Sequence, residues 1–249
     1  MKLFIVSHES NWLNQSCVPM AITSRRMERM RGPTRARGEW ILDSGSRSIL
    51  RNFRRHPMSA SAYARNAQWY GQSVEKLVHA TVQDWPADEA TLKATGHTLL
   101  SHQSWTVRSF KDLRRLASDV PWMPVLVGVT VGDYLHHIDL YRDAGADLAS
   151  MPLVAVRGAF QRENPSETVE ILEAIAGVGV KTHALWAQGV PFDRIAPWVV
   201  SADSAEWSAE ASQVEPLPQC GHWKCTHCLR FAEAWHGRKV LEIVSRVAQ

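Results

Sequence analysis

Three aspartates stand at the ends of apolar segments that have the composition of buried strands. Asp43 closes WILD, Asp84 closes LVHATVQD, and Asp203 closes WVVSAD. A pair of carboxylates can attack a sugar carbon and handle the proton of the leaving group, as in retaining glycoside cleavage. A third carboxylate can accept hydrogen bonds from the amide and amine of a guanine-like base. An acid at a strand end can equally cap the helix that follows, so both interpretations stay open.

A second group of reactive side chains lies near the carboxyl end, in the segment CGHWKCTHC. Its metal-binding residues are Cys220, His222, Cys225 and Cys228. Tetrahedral zinc accepts three thiolates and one imidazole, and four protein ligands close its coordination shell. We therefore predict a structural Zn²⁺. His227 and His236 are near enough in sequence to compete for the histidine position.

Arginines are concentrated in one part of the chain, although the net charge is only +3. The segment from residue 25 to residue 37 contains six of them, and Arg51, Arg54 and Arg55 follow soon after. Such a run is either a solvated surface or an edge that binds phosphates. The candidates for nucleic-acid binding are Arg25, Arg26, Arg35, Arg37 and Arg51.

The composition is that of a soluble globular protein. The chain has 249 residues, of which 45% are hydrophobic and 21% charged, and this length fits one large barrel or two small domains. An apolar run of about 18 residues, as a membrane span requires, does not occur, and the first residues do not form a signal peptide. We expect a cytoplasmic protein without membrane contact.

Eight short apolar segments alternate with longer stretches of helical periodicity. The segments are LFIVS, PMAITS, EWILDS, KLVHATVQ, MPVLVGV, PLVAV, KTHALW and APWVVS. Eight strand–helix units in one domain length predict an α/β fold of the TIM (β/α)8 barrel class. An open, doubly wound sheet is the alternative, but the first strand lacks the glycine-rich turn of nucleotide-binding sheets. We place the barrel at residues 1–212, and the zinc motif with a terminal helix packed on it at residues 213–249.

Other polar and aromatic residues have weaker claims to a role. In such a barrel the carboxyl ends of the strands form the catalytic rim, so His183 in KTHALW belongs there as a positioning or packing group. Trp85 follows Asp84 directly and could face a base. His136 and His137 fall in a helical segment, and we expect both at the surface.

The segments ILDSGS, VQDWP, VLVGVT, VAVRG, KTHALW, VSADSAEWS and CGHWKCTHC occur in an order that resembles the tRNA-guanine transglycosylase superfamily. The likeness is closer to its DpdA branch, which modifies DNA in phages and bacterial genomic islands. It extends from the first strand to the cysteine cluster. The resemblance implies a pentosyltransferase on a (β/α)8 barrel that exchanges one base for another.

The resemblance assigns roles to individual residues. It makes Asp203 the nucleophile of a covalent intermediate and Asp43, from the D-S-G motif, the acid/base that manages the proton on the base. Asp84 would recognise the base. The remaining substrate-binding candidates are Ser44, Gly128, Gly158 and His183.

The chain departs from the tRNA enzymes at several positions. Val127 stands where those enzymes have a base-reading glutamine, and Arg157 replaces a glycine before Gly158. The metal motif has His222 in its second place and gains Cys228, whereas the tRNA enzymes use a distant histidine. The chain is also shorter than a typical tRNA enzyme. These differences favour the DNA branch.

We therefore expect a DNA-guanine transglycosylase that inserts a 7-deazaguanine, such as 7-cyano-7-deazaguanine, with DNA and the free base as partners and structural zinc as its cofactor. Three alternatives remain: the same exchange on tRNA, a zinc-containing nucleic-acid-binding protein without catalysis, and a hydrolase that removes a base without replacing it. The sequence leaves the identity of the 7-deazaguanine and the DNA sequence context open. It also leaves monomer and homodimer open.

Overall fold

The computed structural model describes residues 1–30, 32, 35–160, 162 and 164–247, with side chains up to residue 245. The strands are β1 (Lys2–Val6), β2 (Met20–Thr23), β3 (Trp40–Asp43), β4 (Leu77–Thr81), β5 (Trp122–Met123), β6 (Val125–Val127), β7 (Val154–Arg157), β8 (Thr182–Ala184) and β9 (Ser201–Ser204). The helices are α1 (Ser24–Met27), α2 (Ser46–Phe53), α3 (Ala60–Val74), α4 (Glu89–Thr95), α5 (Leu99–Leu116), α6 (Val131–Asp143), α7 (Pro165–Gly177), α8 (Phe192–Ile195), α9 (Glu206–Gln213) and α10 (Leu229–Val247). Within this part of the chain, no helix is long and apolar enough to cross a membrane.

The strands form one parallel sheet in the order β5-β4-β3-β2-β1-β9-β8-β7-β6. The two ends of this order, β5 and β6, are separated in the chain only by Pro124. The sheet therefore closes on itself, and β5 and β6 together occupy one strand position. The nine strands thus form a nearly closed barrel with eight strand positions. The predicted (β/α)8 class is confirmed.

Proline explains why the predicted strand MPVLVGV is divided. Pro124 has no N–H to donate to a neighbouring strand, so the regular ladder is interrupted there. Met123 on one side pairs with Thr81 of β4, and Val125 on the other pairs with Ala155 of β7. The carbonyl of Pro124 still accepts the N–H of Ala155 at 2.8 Å.

The last predicted strand is wrong in its bounds. APWVVS covers residues 196–201, whereas β9 begins at Ser201, and residues 196–198 form a turn. Pairing with β1 fixes this register, because Phe4 lies opposite Asp203. Asp203 is therefore a residue of the strand itself and is held by the sheet.

The carboxyl-terminal region packs on the barrel. Helix α10 contacts α8, α9 and β1. Trp235 of α10 is fully buried, and Nε2 of His236 lies 3.0 Å from the carbonyl oxygen of Leu3 in β1. These contacts agree with the placement of residues 213–249 on the barrel, while the division into two domains stays a prediction.

His137 is not at the surface, and the expectation for this residue was wrong. His136 is exposed, but one position further along α6 His137 turns to the sheet and is 0% exposed. Its Nδ1 accepts the N–H of Val127 at 3.0 Å, and its ring stacks on Tyr141. Burial, the main cause, lowers the pKa of His137 to about 3, although backbone hydrogen bonds act in the opposite direction.

Replacing His137 with asparagine should make folding less sensitive to acid. Between about pH 6.5 and the folded pKa of about 3, only the unfolded chain binds a proton at His137. Stability therefore falls as the pH drops, by up to about 1.4 kcal/mol per pH unit from this residue. Asparagine keeps an acceptor for Val127 and removes this slope.

Denaturant unfolding at neutral pH and in mild acid measures the effect, with the exposed His136→Asn as the control. If both variants kept the acid sensitivity of the unchanged protein, His137 would have to be protonated in the folded state.

Candidate active site

Three buried carboxylates meet where the strands end at their carboxyl side. Asp43 is the last residue of β3, Asp84 lies three residues beyond β4, and Asp203 is the third residue of β9. Asp43 is 3% exposed, and the other two are fully buried. Charged groups are rarely buried unless they are paired, so this cluster requires a cation and further hydrogen-bond donors.

Arg157, the last residue of β7, lies between two of these acids. Its Nη2 donates to Oδ1 of Asp43 at 3.0 Å, and its Nε lies 2.6 Å from Oδ2 of Asp84. The second contact is an ion pair whose N–H is poorly aligned with the oxygen. Burial opposes the charge of Arg157, but the attraction of Asp84, Asp43 and Asp203 outweighs it and raises the pKa of the guanidinium.

Ser44 connects two of the carboxylates from their other side. Its hydroxyl donates to Oδ1 of Asp84 at 3.1 Å, and its backbone N–H donates to Oγ1 of Thr81 at 2.8 Å. Thr81 in turn lies 3.4 Å from Oδ1 of Asp43. Ser44 is 2% exposed and touches neither of the two large cavities described below. In this structure it positions Asp84.

Both carboxylate oxygens of Asp203 have partners. Oδ1 accepts the backbone N–H of Trp186 at 2.6 Å, and Oδ2 lies 3.2 Å from Nε2 of His183. The other ring nitrogen of His183 lies 2.8 Å from the hydroxyl of Ser201. His183 is fully buried, so it orients Asp203 from within the barrel.

Trp186 joins two of the acids, and the sequence analysis missed it. While its backbone N–H binds Asp203, its indole Nε1 donates to Oδ2 of Asp43 at 3.1 Å. Its backbone has a φ of 59°, a left-handed conformation that is unusual for a bulky residue and is often found at functional sites. Its place at the end of the segment KTHALW, on the catalytic rim, was the available signal.

None of the three aspartates is the N-cap residue of the next helix. The N-cap positions of α2, α4 and α9 are Gly45, Asp88 and Ala205. The explanation of these acids as simple helix caps is therefore not supported. Their burial and mutual contacts remain to be explained by a shared site.

A cavity of about 510 Å³ opens beside the acids, and we call it the glycine cavity. Its walls include Gly128, Gly158, Leu185, Trp186 and Arg157. A Cβ at Gly128 would come within 2.9 Å of Asp133, and Gly158 has a φ of 85°, so both positions require glycine. Asp84 does not line this cavity. The side chain of Arg157, which forms an ion pair with Asp84, lines it instead.

A second cavity of about 640 Å³, the arginine groove, lies on the other side of Trp186. Trp186 and Arg157 line both cavities, whereas Asp43 lines the groove and Asp203 lines neither. The arginines of the groove are Arg25, Arg26, Arg29, Arg47, Arg51 and Arg157. The groove thus combines one predicted catalytic acid with a positive surface suited to phosphate groups.

The structure does not bring all candidate arginines together. Arg25, Arg26 and Arg51 line the groove. Arg35 pairs with Glu75, which follows α3. Arg37, which precedes β3, donates its backbone N–H to the carbonyl oxygen of Leu13. Both arginines therefore lie at the end of the strands opposite to the acids. Arg31 lies outside the described residues.

Cys220, His222, Cys225 and Cys228 form a group that can hold a metal ion. Their ligand atoms all lie within 4.8 Å of one another. The sulfurs of Cys220 and Cys228 are 3.9 Å apart, close to the spacing of about 3.8 Å that tetrahedral zinc with bonds of about 2.3 Å requires. The donor set and its spacing both fit zinc.

The two competing histidines have other contacts. His236 binds the carbonyl of Leu3, and His227 packs against His8 with ring centroids 5.1 Å apart. His222 is therefore the histidine of the metal-binding group. Because His8 also lines the arginine groove, the metal motif adjoins the mouth of the site.

Removing His222 should release the metal. We expect stoichiometric zinc in the unchanged protein and in His227→Ala, and little in His222→Ala, because three thiolates leave the shell open. Elemental analysis of the purified variants measures this. Loss of a structural zinc also removes several kcal/mol of folding stability, so the melting temperature should fall with the metal content. Full zinc occupancy in His222→Ala would contradict the assignment.

Comparison with known proteins identifies a family that matches nearly the whole chain. The family model DpdA, described as DeoxyPurine in DNA protein A, matches residues 1–248. No curated protein matches the sequence. Among solved structures, the chain is similar to a zinc-bound amidohydrolase from Burkhoderia ambifaria, with 18% identity and a TM-score of 0.42 over 79% of this chain and 59% of that one.

Proposed function

This chain belongs to the DpdA family, DeoxyPurine in DNA protein A, and from this membership we propose that it replaces guanine in DNA with a 7-deazaguanine. It is a DNA-modifying transglycosylase, which exchanges a base while the sugar–phosphate chain stays intact. We further propose that Asp203 forms a covalent ester with the sugar. The pentosyltransferase chemistry, the incoming base and this intermediate make up the proposal.

One observation above all supports it. Trp186 contacts both Asp203 and Asp43, and it stands where a cavity large enough for a base meets a groove lined by arginines. A base in the glycine cavity and a phosphate in the arginine groove would bring the sugar between them, beside the two acids. Base exchange requires this order of binding sites.

In the first step, an oxygen of Asp203 attacks C1′ of the deoxyguanosine. The C1′–N9 bond breaks, its electron pair leaves with guanine, and an ester links Asp203 to the sugar. We expect Oδ2 to attack, because its contact with His183, at 3.2 Å, is longer than the 2.6 Å contact of Oδ1 with Trp186. The Trp186 N–H keeps the carboxylate oriented meanwhile.

In the second step, N9 of the incoming base attacks C1′ and the ester bond to Asp203 breaks. The departing guanine takes up one proton, and the incoming base gives one up at N9. Asp43 can give its proton to the departing guanine in the first step and take the N9 proton of the incoming base in the second, so it ends the cycle as it began and the exchange is balanced without a nucleotide cofactor. Among the described residues, the hydrogen bond to its Oδ2 comes from the Trp186 indole, and Asp43 lines the arginine groove.

Arg157 changes the expected mode of base recognition. Because Asp84 is covered, we propose that it holds Arg157 in place and that Arg157 presents N–H donors to the carbonyl oxygen of the base. The backbone of Gly128 and Gly158 closes the walls of the glycine cavity around the ring. A direct contact from Asp84 to the base would require the Arg157 side chain to move away.

The buried position of Asp203 requires a local movement. Trp186 lines both cavities and Asp203 lines neither, so the indole has to shift before a sugar can reach the carboxylate. The target base must also leave its stack in duplex DNA, at a cost of a few kcal/mol. The second requirement is easier to meet when the target nucleotide is already unpaired.

Asparagine at position 203 should abolish the exchange. We expect Asp203→Asn to lower incorporation of 7-cyano-7-deazaguanine into DNA by about 10⁴-fold or more, because the nucleophile is lost. Nucleosides from digested DNA, analysed by mass spectrometry, measure the product, and Asp139→Asn on the exposed face of α6 is the control. Without an incoming base, the unchanged protein should form a covalent DNA adduct on a denaturing gel, and Asp203→Asn should form none.

The same assay separates the alternatives. Modified ribonucleoside from bulk tRNA, without modified deoxynucleoside, would make tRNA the substrate. Continuous guanine release without an incoming base would indicate a hydrolase. Incorporation that survives in Asp203→Asn would disprove the nucleophile, and binding without either reaction would leave a nucleic-acid-binding protein.

The arginine groove should account for the salt dependence of DNA binding. Replacing Arg25 and Arg29 with glutamine should weaken binding and lower the slope of log affinity against log salt by about 0.7 per residue on single-stranded DNA. The matched variant, Arg35→Gln with Arg37→Gln, removes the same charge at the other end of the strands and should leave the slope unchanged. Equal losses in both double variants would show that only net charge matters.

A further inference from the structure

A third groove, which the proposed chemistry does not use, lies beyond Asp84. It has a volume of about 380 Å³ and we call it the tryptophan groove, after Trp85 and Trp105. The ring centroids of these two residues are 4.4 Å apart. Trp85 directly follows Asp84, yet it lines this groove and neither of the two larger cavities.

The aromatic wall is held from behind. The backbone N–H of Trp85 donates to Oγ1 of Thr106 at 2.9 Å, and His102 contacts the carbonyl of Pro86 at 2.7 Å. His97 meets the Trp105 ring edge-to-face at 4.7 Å. Both tryptophans are nevertheless only partly buried. They therefore present a fixed but accessible aromatic surface.

Two polar atoms in the wall of this groove lack hydrogen-bond partners among the described residues. They are Nδ1 of His56 and Oγ of Ser109. Nε2 of His56 lies 3.0 Å from the carbonyl oxygen of Asp84, so Nε2 carries the hydrogen. Burial lowers the pKa of His56 and favours its neutral form, in which Nδ1 is an acceptor. Buried polar atoms are nearly always paired in folded proteins, so these two atoms are an unusual feature of the wall of this groove.

The tryptophan groove and the arginine groove both adjoin one smaller cavity. A smaller cavity of about 180 Å³ lies between them and shares Arg25 with the arginine groove. It shares His56, Met58 and Gln83 with the tryptophan groove. Phe53, whose exposed fraction is 51%, also lines it. These adjoining cavities, which we call the path, therefore extend from the arginines beside Asp43 to the two tryptophans.

We propose that this path holds an unpaired stretch of the DNA strand that carries the exchanged nucleotide, and that a neighbouring base stacks in the tryptophan groove. The inference rests on the proposed function for the position of the target nucleotide. Proteins that bind single strands combine a positive groove with aromatic stacking surfaces in this way. Arg108 also lines the groove, where its exposed side chain forms an ion pair with Asp112 at 3.8 Å.

Binding of single-stranded DNA to Trp105 variants tests the proposal without depending on catalysis. The first oligonucleotide has one guanine between thymine flanks, and the second has abasic flanks that keep the phosphates and lack the bases. Trp105→Ala should weaken binding of the first oligonucleotide by about fivefold or more, since one stacked base is worth about 1–3 kcal/mol. It should leave binding of the second nearly unchanged.

Two further variants control for structure. Trp69→Ala removes a half-exposed tryptophan of α3 that lines none of the cavities described above and should bind both oligonucleotides like the unchanged protein. Trp105→Phe keeps a stacking ring and should retain most of the affinity. Fluorescence anisotropy gives the dissociation constants, and melting curves of every variant establish that it is folded.

Several results would overturn the inference. Trp105→Ala could bind the oligonucleotide with thymine flanks as tightly as the unchanged protein does, or it could lose as much affinity for the oligonucleotide with abasic flanks. Trp105→Phe could fail to restore the affinity. The unchanged protein could also bind the corresponding RNA more tightly than the DNA. Base exchange with Trp105-independent binding would disprove the path and keep the proposed function. Binding that depends on Trp105, without any base exchange, would support the path and disprove the proposed function.

Discussion

The site depends on the burial of a positive charge between two negative ones. A buried guanidinium or carboxylate is tolerated only with a partner, and removing one member of such a pair typically destabilises a protein by about 3–5 kcal/mol. Arg157 extends from β7 to Asp43 at the end of β3, across 114 positions of sequence. The two residues stand on well-separated strands of the barrel, so this contact spans its mouth. The other elements have to hold these strand ends at a fixed distance.

Around this cluster, each acid has a different environment. Asp84 is bound by Ser44 and Arg157, which leaves it no face toward the glycine cavity. Asp43 lines the arginine groove. Asp203 is enclosed by His183 and Trp186. The same residue type at three strand ends can therefore serve three purposes, because the neighbours of each carboxylate decide what it can reach.

The peripheral elements extend the site instead of merely covering the barrel. The metal-binding loop reaches the arginine groove through the contact of His227 with His8. Burial, His227 and Arg26 together lower the pKa of His8 to about 4, so this ring is neutral at physiological pH. On the other side of the site, Trp85 turns away from the acids toward Trp105. The positive groove thus lies between a loop that can hold a metal ion and an aromatic surface.

The sequence by itself determined the barrel class, the four clustered residues that can hold a metal ion and the three acids near the strand ends, because strand composition and ligand spacing are local properties. The tertiary structure decided the rest. Trp186 and Asp43 are 143 positions apart, and no local pattern indicates that they meet. Arg35 and Arg37 belong to the same sequence cluster as Arg25, yet the chain carries them to the opposite end of the strands. His137 and Trp85 face directions set by helix rotation and strand register, which depend on the packing of the whole barrel.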